Sequence, residues 1–454
     1  MSMNIRLFFL LLLFAVLLLS EMFGWKLGVS QGLSVKNAFL YGFLVLCLVE
    51  RMMSKGQKDP LLTTIHGPFI FLILIAGISW MFTDVRTNMQ HYSNEDRLIA
   101  LKSTLADFYL FFLVYYLGVR KLEDAIVLSK AILVLVFVSN IVTVIDVYNI
   151  PDLGIVKQMD EAESEANRGR LMGPMGEPNQ YASFLILFFP SYVALALTST
   201  RGTVARYTYL SASVATLIAL LLTGSRGGIF GLIAAGAWGY WLIRTKVRLK
   251  SAFRVILISV PIVGVAIMLA AMKYGTLLMG RIEATSKAGT ATAASAGRTL
   301  IWEMGLNVMA DHPSSFLTGM GWHTFAPYVG VVPHNTYLWY FFNLGIVGLL
   351  LYLVILGNVL KLTRNAVSGE SVDSNILLMG FIFGFAGLLM SICFVDLFAP
   401  WYFIWAYIGV MARVAVQMNL EVQKRQEQAQ EGGLEIDLNI LPPSLGTAPT
   451  VRVL

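Results

Sequence analysis

The chain has 454 residues, of which 57% are hydrophobic and only 13% are charged, whereas a soluble domain usually carries about 25% charged residues. This small number of charges cannot keep the surface of a chain this long in water. The composition therefore excludes an ordinary soluble protein and indicates an integral membrane protein. The net charge of +6 does not indicate nucleic acid binding, because Lys and Arg lie in short runs between apolar segments, as in cytoplasmic loops.

Twelve segments are apolar enough to cross a bilayer, for which a helix needs about 20 residues. The sequence therefore predicts an all-α, polytopic integral membrane protein with about 12 transmembrane helices. The predicted spans lie near residues 7–23, 34–50, 66–83, 99–118, 125–147, 179–198, 207–223, 228–243, 255–273, 336–360, 375–396 and 399–415.

Two of these regions allow a second interpretation. Residues 7–23 follow Arg6 as the apolar region of a signal peptide would, but no small-x-small cleavage site follows Ser20, so we expect this segment to stay as the first span. Residues 207–243 are either two short spans that meet at Gly224-Ser225-Arg226-Gly227-Gly228 or a broken re-entrant pair.

The loop charges predict the orientation. Lys and Arg are concentrated in alternate, short loops, most densely at residues 244–254. Since cytoplasmic loops are the positive ones, we expect both termini to be cytoplasmic and the two long loops, residues 148–178 and 274–335, to lie outside. Residues 1–415 then form one membrane domain, and residues 416–454 form a polar cytoplasmic tail that we expect to be disordered.

Arg226 is the clearest candidate functional residue, because it lies between two apolar runs, where a charge is costly. Gly224, Gly227 and Gly228 would let the backbone turn and a ligand approach closely. A guanidinium binds phosphate oxygens in a bidentate manner, so the pattern indicates a phosphate ligand. The alternative is an arginine that reaches the membrane interface from a tight outer turn.

Two further arginines lie in the predicted outer loops. Arg298 opens an amphipathic segment, and its place in the first helical turn suits a co-ligand for an anion bound at that helix end. A solvated helix face is the alternative. Arg170 precedes a compact Gly- and Pro-rich turn that leads into the next span at Asn179. Arg170 and Asn179 are weaker candidates for substrate binding.

His334 ends the large outer loop and is followed by Asn335, another weaker substrate-binding candidate. A histidine at the outer mouth of a helix bundle can titrate near neutral pH and can take a proton from a sugar hydroxyl. The alternative is a residue of the interfacial aromatic belt, together with Trp339 and Tyr340. The sequence has no DxD, no HExxH and no paired cysteines, so a metal-free mechanism is the simpler interpretation.

The motifs between residues 165 and 350 occur in an order known from one protein family. In chain order they are the Glu-Pro-Asn within Gly173–Tyr181, Ser225-Arg226-Gly227, Arg298 with Ile301-Trp302, His312-Pro313 with Gly319-Met320-Gly321, and His334-Asn335-Thr336-Tyr337 with Gly345 and Gly348. Together they resemble the O-antigen ligase and the O-antigen and exopolysaccharide polymerase family. No single motif is specific, whereas their order and common outer location are.

The resemblance implies a glycosyltransferase of the bacterial inner membrane that acts at the periplasmic face on a glycan carried by undecaprenyl diphosphate. It implies that Arg226 and Arg298 hold the diphosphate, that His334 is the general base on the acceptor hydroxyl, and that the attack inverts the anomeric centre. It also implies that the enzyme needs no cofactor, neither nucleotide nor metal.

The acceptor and the exact reaction stay open. The acceptor is a second lipid-linked glycan in a polymerase, which we slightly favour, and lipid A-core or another molecule in a ligase. The other expected partners are the lipid bilayer and a chain-length regulator, with no nucleic acid. A twelve-helix secondary transporter is the alternative from another class, although the long loops are outer and no internal repeat is evident.

Overall fold

The computed structural model of the chain describes residues 5–24, 28–30, 33–53, 62–87, 93–148, 170–200, 202–246, 295, 297–368, 373–396 and 401–431. Within these ranges the fold is helical, apart from one short antiparallel hairpin of β1 (Gly28–Ser30) and β2 (Leu33–Ser34). The predicted all-α class is therefore confirmed for this part of the chain.

The first part of the chain supplies five long helical segments. They are α1 (Ile5–Phe23), α2 (Val35–Met53), α3 (Thr63–Thr87), α4 (Asn94–Leu101) with α5 (Asp107–Gly118), and α6 (Leu122–Tyr148). A π-helical segment, Lys102–Ala106, joins α4 to α5 without interrupting the helix. A single 3₁₀ turn, Gly173–Met175, then leads into the second part.

The second part holds long helices and three short ones. The long helices are α7 (Pro178–Thr198), α8 (Val204–Leu222), α9 (Arg226–Ile243), α13 (Thr336–Ala366), α14 (Asp373–Ser391) and α15 (Tyr402–Glu431). The short helices between α9 and α13 are α10 (Arg298–Ala310), α11 (Ser315–Thr318) and α12 (Phe325–Val329).

Nine helical segments in the described part of the chain are long and apolar enough to cross a membrane. They are Ile5–Phe23, Thr63–Thr83, Asn94–Gly118, Leu122–Asp146, Pro178–Thr198, Val204–Leu222, Thr336–Ala366, Asp373–Ser391 and Tyr402–Arg425. Two other predicted spans coincide with α2 and α9, which are helices of 19 and 18 residues but do not belong to that set.

The predicted count of twelve spans stays a prediction, because the predicted span at 255–273 lies outside the described residues, as do residues 149–169 and 274–294 of the predicted outer loops. Residues 207–243 form two separate helices, α8 and α9, that meet at a short turn. At the other end of the chain, α15 continues past the predicted boundary at 415 to Glu431, and residues 432–454 lie outside the described part.

The centre of the bundle is formed by α14, which packs between α7 and α9. Helices that associate in a membrane use small residues to bring their backbones close. Gly384 shows how close this contact is, because a Cβ atom there would lie 2.1 Å from the carbonyl oxygen of Leu187 on α7. Any side chain at this position would separate the two central helices.

Helix α13 is broken at Gly345, whose φ of 66° and ψ of −167° lie outside the helical region. The break frees backbone carbonyls, and the loop that follows α11 satisfies two of them. Met320 N donates to Phe342 O at 2.7 Å, and Gly321 N donates to Asn343 O at 3.1 Å. Buried backbone groups must be paired, so the break and the loop depend on each other.

The two ends of the bundle differ in their charged contacts. At one end, Glu50 forms ion pairs with Arg6 and with Arg120, and Lys246 donates to carbonyls at the end of α13. This end carries the positive loops of the sequence analysis. The other end, where α7, α9 and α13 begin, carries the predicted functional residues. We call it the site end.

Candidate active site

Arg226 is the first residue of α9 and lies directly after a tight turn. Ser225 caps the helix, because its Oγ accepts a hydrogen bond from Gly228 N at 3.2 Å. The two glycines that follow Arg226 serve helix packing, since a Cβ atom on Gly227 or on Gly228 would lie 2.8 Å from the side chain of Phe394 or of Ala182. The sequence motif therefore fixes the start of α9 against its neighbours and sets the position of the guanidinium.

Arg298 is the first residue of α10 and follows Gly297, which has a left-handed φ of 81°. Burial lowers the pKa of Arg298, the nearby Arg226 lowers it further, and Glu177 and Asp396 oppose the shift. The two predicted diphosphate ligands therefore lie within electrostatic range of each other. Arginine is not deprotonated at neutral pH in proteins, and an anion bound by both guanidinium groups would relieve their repulsion.

His334 is held by the backbone on both sides. Its own φ of 49° lies in the left-handed region that side chains rarely adopt. Before it, the Pro333 carbonyl accepts a hydrogen bond from the indole nitrogen of Trp302 on α10 at 2.8 Å. After it, Asn335 caps α13, since its Oδ1 accepts from Leu338 N at 3.1 Å. This segment therefore ties α10, which begins with Arg298, to α13.

Asp396 anchors the same turn and was missed by the sequence analysis. One carboxylate oxygen accepts from His334 N at 2.8 Å and the other from Asn335 N at 3.0 Å. The side chain is 3% exposed. The sequence did contain a signal, because a single acidic residue follows the apolar run that ends at Val395, and a charge next to a membrane span is costly unless it has a role.

The His334 imidazole lies next to this carboxylate. Its Nδ1 is 3.6 Å from Asp396 Oδ2, which is too long for a hydrogen bond but within ion-pair distance once the ring is protonated. An ionised Asp396 is thus positioned to stabilise an imidazolium at His334 by its charge.

Protonation in this pair is governed by burial. Burial lowers the pKa of His334 below its ordinary value of 6.5, Arg298 lowers it further, and Glu177 opposes the shift. Burial also raises the pKa of Asp396 to about 7, although the hydrogen bonds that it accepts from the backbone N–H groups of His334 and Asn335 lower the pKa. His334 is therefore neutral near pH 7 and able to accept a proton.

Arg170 and Asn179 belong to a hydrogen-bonded rim beside Arg226. Arg170 Nε donates to the carbonyl of Thr223 at 2.7 Å, and one terminal nitrogen donates to Asn179 Oδ1 at 3.0 Å. Asn179 donates in turn to Glu177, which caps α7 by accepting from Gln180 N at 2.7 Å. The contacts tie the start of α7 to the end of α8. Substrate contacts of Arg170, Asn179 and Asn335 stay predictions.

The structure thus brings Arg226, Arg298 and His334 to one end of the bundle, together with the additional Asp396. A comparison with protein families places the same region in context. Residues 211–353, which include the two arginines and the histidine, match the family model described as O-antigen ligase. No curated protein matches the chain. The resemblance to the O-antigen ligase family that the sequence predicted is therefore confirmed, on the evidence of residues 211–353.

Proposed function

We propose that this protein transfers a glycan from undecaprenyl diphosphate to a sugar hydroxyl at the periplasmic face of the bacterial inner membrane. The observation that carries the proposal is the convergence of Arg226 and Arg298 with the pair of His334 and Asp396 at the site end. The match to the O-antigen ligase family supports glycan transfer as the class of reaction.

The two arginines are suited to the diphosphate of the donor. A diphosphate that leaves gains negative charge in the transition state, and preorganised donors lower the barrier most when they point to where that charge develops. Arg226 and Arg298 each begin a helix, so the positive ends of two helix dipoles add to the two guanidinium charges. We propose that this set neutralises the leaving group without a metal ion.

His334 then acts as the general base. The acceptor hydroxyl gives its proton to the imidazole, and its oxygen forms a bond to the anomeric carbon while the bond from that carbon to the diphosphate breaks. The electron pair leaves with undecaprenyl diphosphate. Attack from the side opposite the leaving group inverts the anomeric centre. Asp396 balances the charge on the imidazolium and so lowers the energy of the proton transfer.

Within this reaction class we favour a polymerase that joins lipid-linked repeat units of a surface or exported polysaccharide. The alternative is a ligase that moves the glycan to lipid A-core or another acceptor. The two reactions share the donor and the base, and they differ only in the molecule that presents the hydroxyl.

The experiment is a transfer assay with the purified full-length chain. The donor is an undecaprenyl-diphosphate-linked oligosaccharide, and the reaction contains a chelator and no nucleotide. Products are sized, and the lipid carrier of each is identified.

The outcomes separate the possibilities. A ladder of products that stay on polyprenyl diphosphate supports the polymerase, and one glycan on a different acceptor supports the ligase. Activity that requires an added metal contradicts the metal-free mechanism. No transfer to any acceptor, including lipid A-core, contradicts the proposed function and favours the transporter.

A further inference from the structure

Two neighbouring apolar side chains are exposed on α11, the short helix in the loop between α10 and α12. Phe316 is 40% exposed and Leu317 is 60% exposed. On its other side, α11 packs on α13, where the ring of Phe316 lies 6.0 Å from that of Phe341. Single exposed apolar residues are normal on a protein surface in water, so their meaning depends on where α11 lies relative to the membrane-spanning helices.

Helix α11 lies beside a membrane-spanning segment rather than beyond its end. The backbone of Leu317 touches α13 at the break, because a Cβ atom on Gly345 would lie 2.2 Å from the Leu317 carbonyl oxygen. Gly345 follows the first residue of α13, Thr336, by nine residues, and the segment Thr336–Ala366 is apolar and long enough to cross a membrane. At 1.5 Å per residue, α11 contacts this segment about 14 Å from its beginning.

The beginning of α13 is level with the end of another span, α14. Thr336 N donates to the carbonyls of Ile392 and Val395, at 3.0 and 3.1 Å, and these residues come directly after α14. Helix α14 has 19 residues and so covers about 28 Å, close to the thickness of a hydrocarbon core, about 30 Å. Thr336 therefore lies near the membrane boundary of the site end, and α11 lies on the membrane side of Thr336.

A third span, in α3, places the loop at the same level. Gly321, which follows α11, lies against Thr83, since a Cβ atom on Gly321 would be 2.6 Å from the Thr83 hydroxyl oxygen. Thr83 is the last residue of the apolar segment Thr63–Thr83. The residues before it, Met81 and Phe82, are exposed, as lipid-facing residues of a span are. The loop therefore reaches the end of a span where its lipid-facing surface begins.

The backbone of α11 and of the turn after it meets the condition that lipid imposes. Hydrocarbon offers no hydrogen bonds, so backbone that contacts it must be paired within the protein. Each of the seven backbone N–H groups from Ser315 to Gly321 donates to a carbonyl of the chain. The Thr318 hydroxyl also donates to Ser314 O, at 3.2 Å. In a loop surrounded by water, such complete pairing of the N–H groups would not be needed.

We propose that α11 is seated in the leaflet at the site end, with Phe316 and Leu317 against the acyl chains of the bilayer. The loop between α10 and α12 is then held by lipid on one side and by α13 on the other. This inference does not depend on the proposed function. It is compatible with it, because the phosphates of a lipid-linked donor lie at the level of the headgroups, next to the acyl chains.

The test compares nitroxide labels at three positions of the full-length chain in phospholipid nanodiscs. The chain has two cysteines, which are first removed as Cys47→Ala and Cys393→Ala. Leu317→Cys then carries the label on α11. Leu350→Cys, at an exposed position of α13, is the lipid standard, and Asp311→Cys, at an exposed position at the end of α10, is the water standard. For each label, collisions with oxygen, which concentrates in lipid, and with a water-soluble nickel chelate are measured.

We expect the label on α11 to match the lipid standard, with frequent oxygen collisions and few collisions with the chelate, and the water standard to show the opposite. Frequent collisions of the α11 label with the chelate would overturn the proposal, because α11 would then lie in water. Few collisions with either reagent would overturn it as well, because a second copy of the chain would then cover α11.

A pair of substitutions tests the same seat without a label. A charge in contact with hydrocarbon is costly, whereas a charge on a surface in water changes stability little. We therefore expect Leu317→Asp to lower the melting temperature in nanodiscs, and Leu317→Met, which stays apolar, to leave it unchanged. Equal melting temperatures of the two variants would overturn the proposal. Neither measurement uses glycan transfer, so a failure of the transfer assay contradicts the proposed function alone.

Discussion

Replacing Asp396 with asparagine is the sharpest test of the site, because it changes one group and almost no volume. The two carboxylate oxygens accept from His334 N and from Asn335 N. An asparagine has one oxygen and one NH₂ group. In either orientation of the amide, a donor therefore faces one of the two backbone N–H donors.

The size of the effect follows from these contacts. A buried N–H group left unsatisfied costs about 1–3 kcal/mol, and the turn that carries His334 can relieve this cost only by moving. The negative charge that Asp396 carries above its pKa of about 7, 3.6 Å from His334 Nδ1, is also lost, so the imidazolium that forms during transfer is no longer balanced. A general base contributes about 10²–10⁴ in rate. We expect Asp396→Asn to lower kcat by about 10²-fold, which corresponds to about 2.7 kcal/mol.

The assay is the transfer reaction with kcat and the two KM values measured separately. Asp311→Asn is the matched control, because Asp311 is an exposed carboxylate at the end of α10. Its kcat should equal that of the unmodified chain. The reasoning is refuted if Asp396→Asn is well folded and keeps its kcat, or if only the KM for the donor rises.

The other predictions concern the arginines, the base and the break in α13. Arg226→Ala and Arg298→Ala should each lower kcat by about 10²–10³ without unfolding the protein, as measured by transfer rate and by thermal melting in detergent. His334→Ala should lower turnover more than donor binding. In the unmodified protein, kcat should fall as the pH drops below about 7, because Asp396, with its pKa raised to about 7, and His334, with its pKa below 6.5, form a pair that takes up a proton. A flat pH profile contradicts this role. Gly345→Ala should lower the melting temperature and the activity, since its Cβ would lie 2.2 Å from Leu317 O at a φ of 66°. Gly357→Ala in the same helix is the control, because its Cβ would meet nothing within 4 Å, and it should be neutral or stabilising. Equal effects of the two changes would contradict the role of the break.

Much of the helix pattern could be predicted because membrane spans are encoded locally. Each needs only a run of apolar residues of sufficient length, and the predicted spans that fall in the described part of the chain coincide with helices. Arg226 and His334 could be singled out for the same reason, since a charged or titratable residue next to an apolar run is conspicuous in the sequence alone.

Features that depend on contacts between residues distant in sequence could not be predicted from the sequence. Asp396 lies 62 residues after His334, and nothing local indicates that its carboxylate accepts the backbone of that turn. The break at Gly345 was equally hidden, because glycine is common in membrane helices. Only the contact with residues 320 and 321 shows why the helix stops there.

The break in α13 also explains how a loop can hold His334, the proposed base, with the precision that catalysis needs. Loops are usually the mobile part of a protein, and a general base must lie within hydrogen-bond reach of its substrate. In this chain the loop donates Met320 N and Gly321 N to carbonyls of α13, and Asn343 accepts from Thr324 N. The other side of the loop reaches the base through Trp302 and the Pro333 carbonyl. The loop is thus hydrogen-bonded to α13 on one side, and the residue before His334 is hydrogen-bonded to α10 on the other, so the position of the proposed base is determined by the bundle rather than by the loop itself.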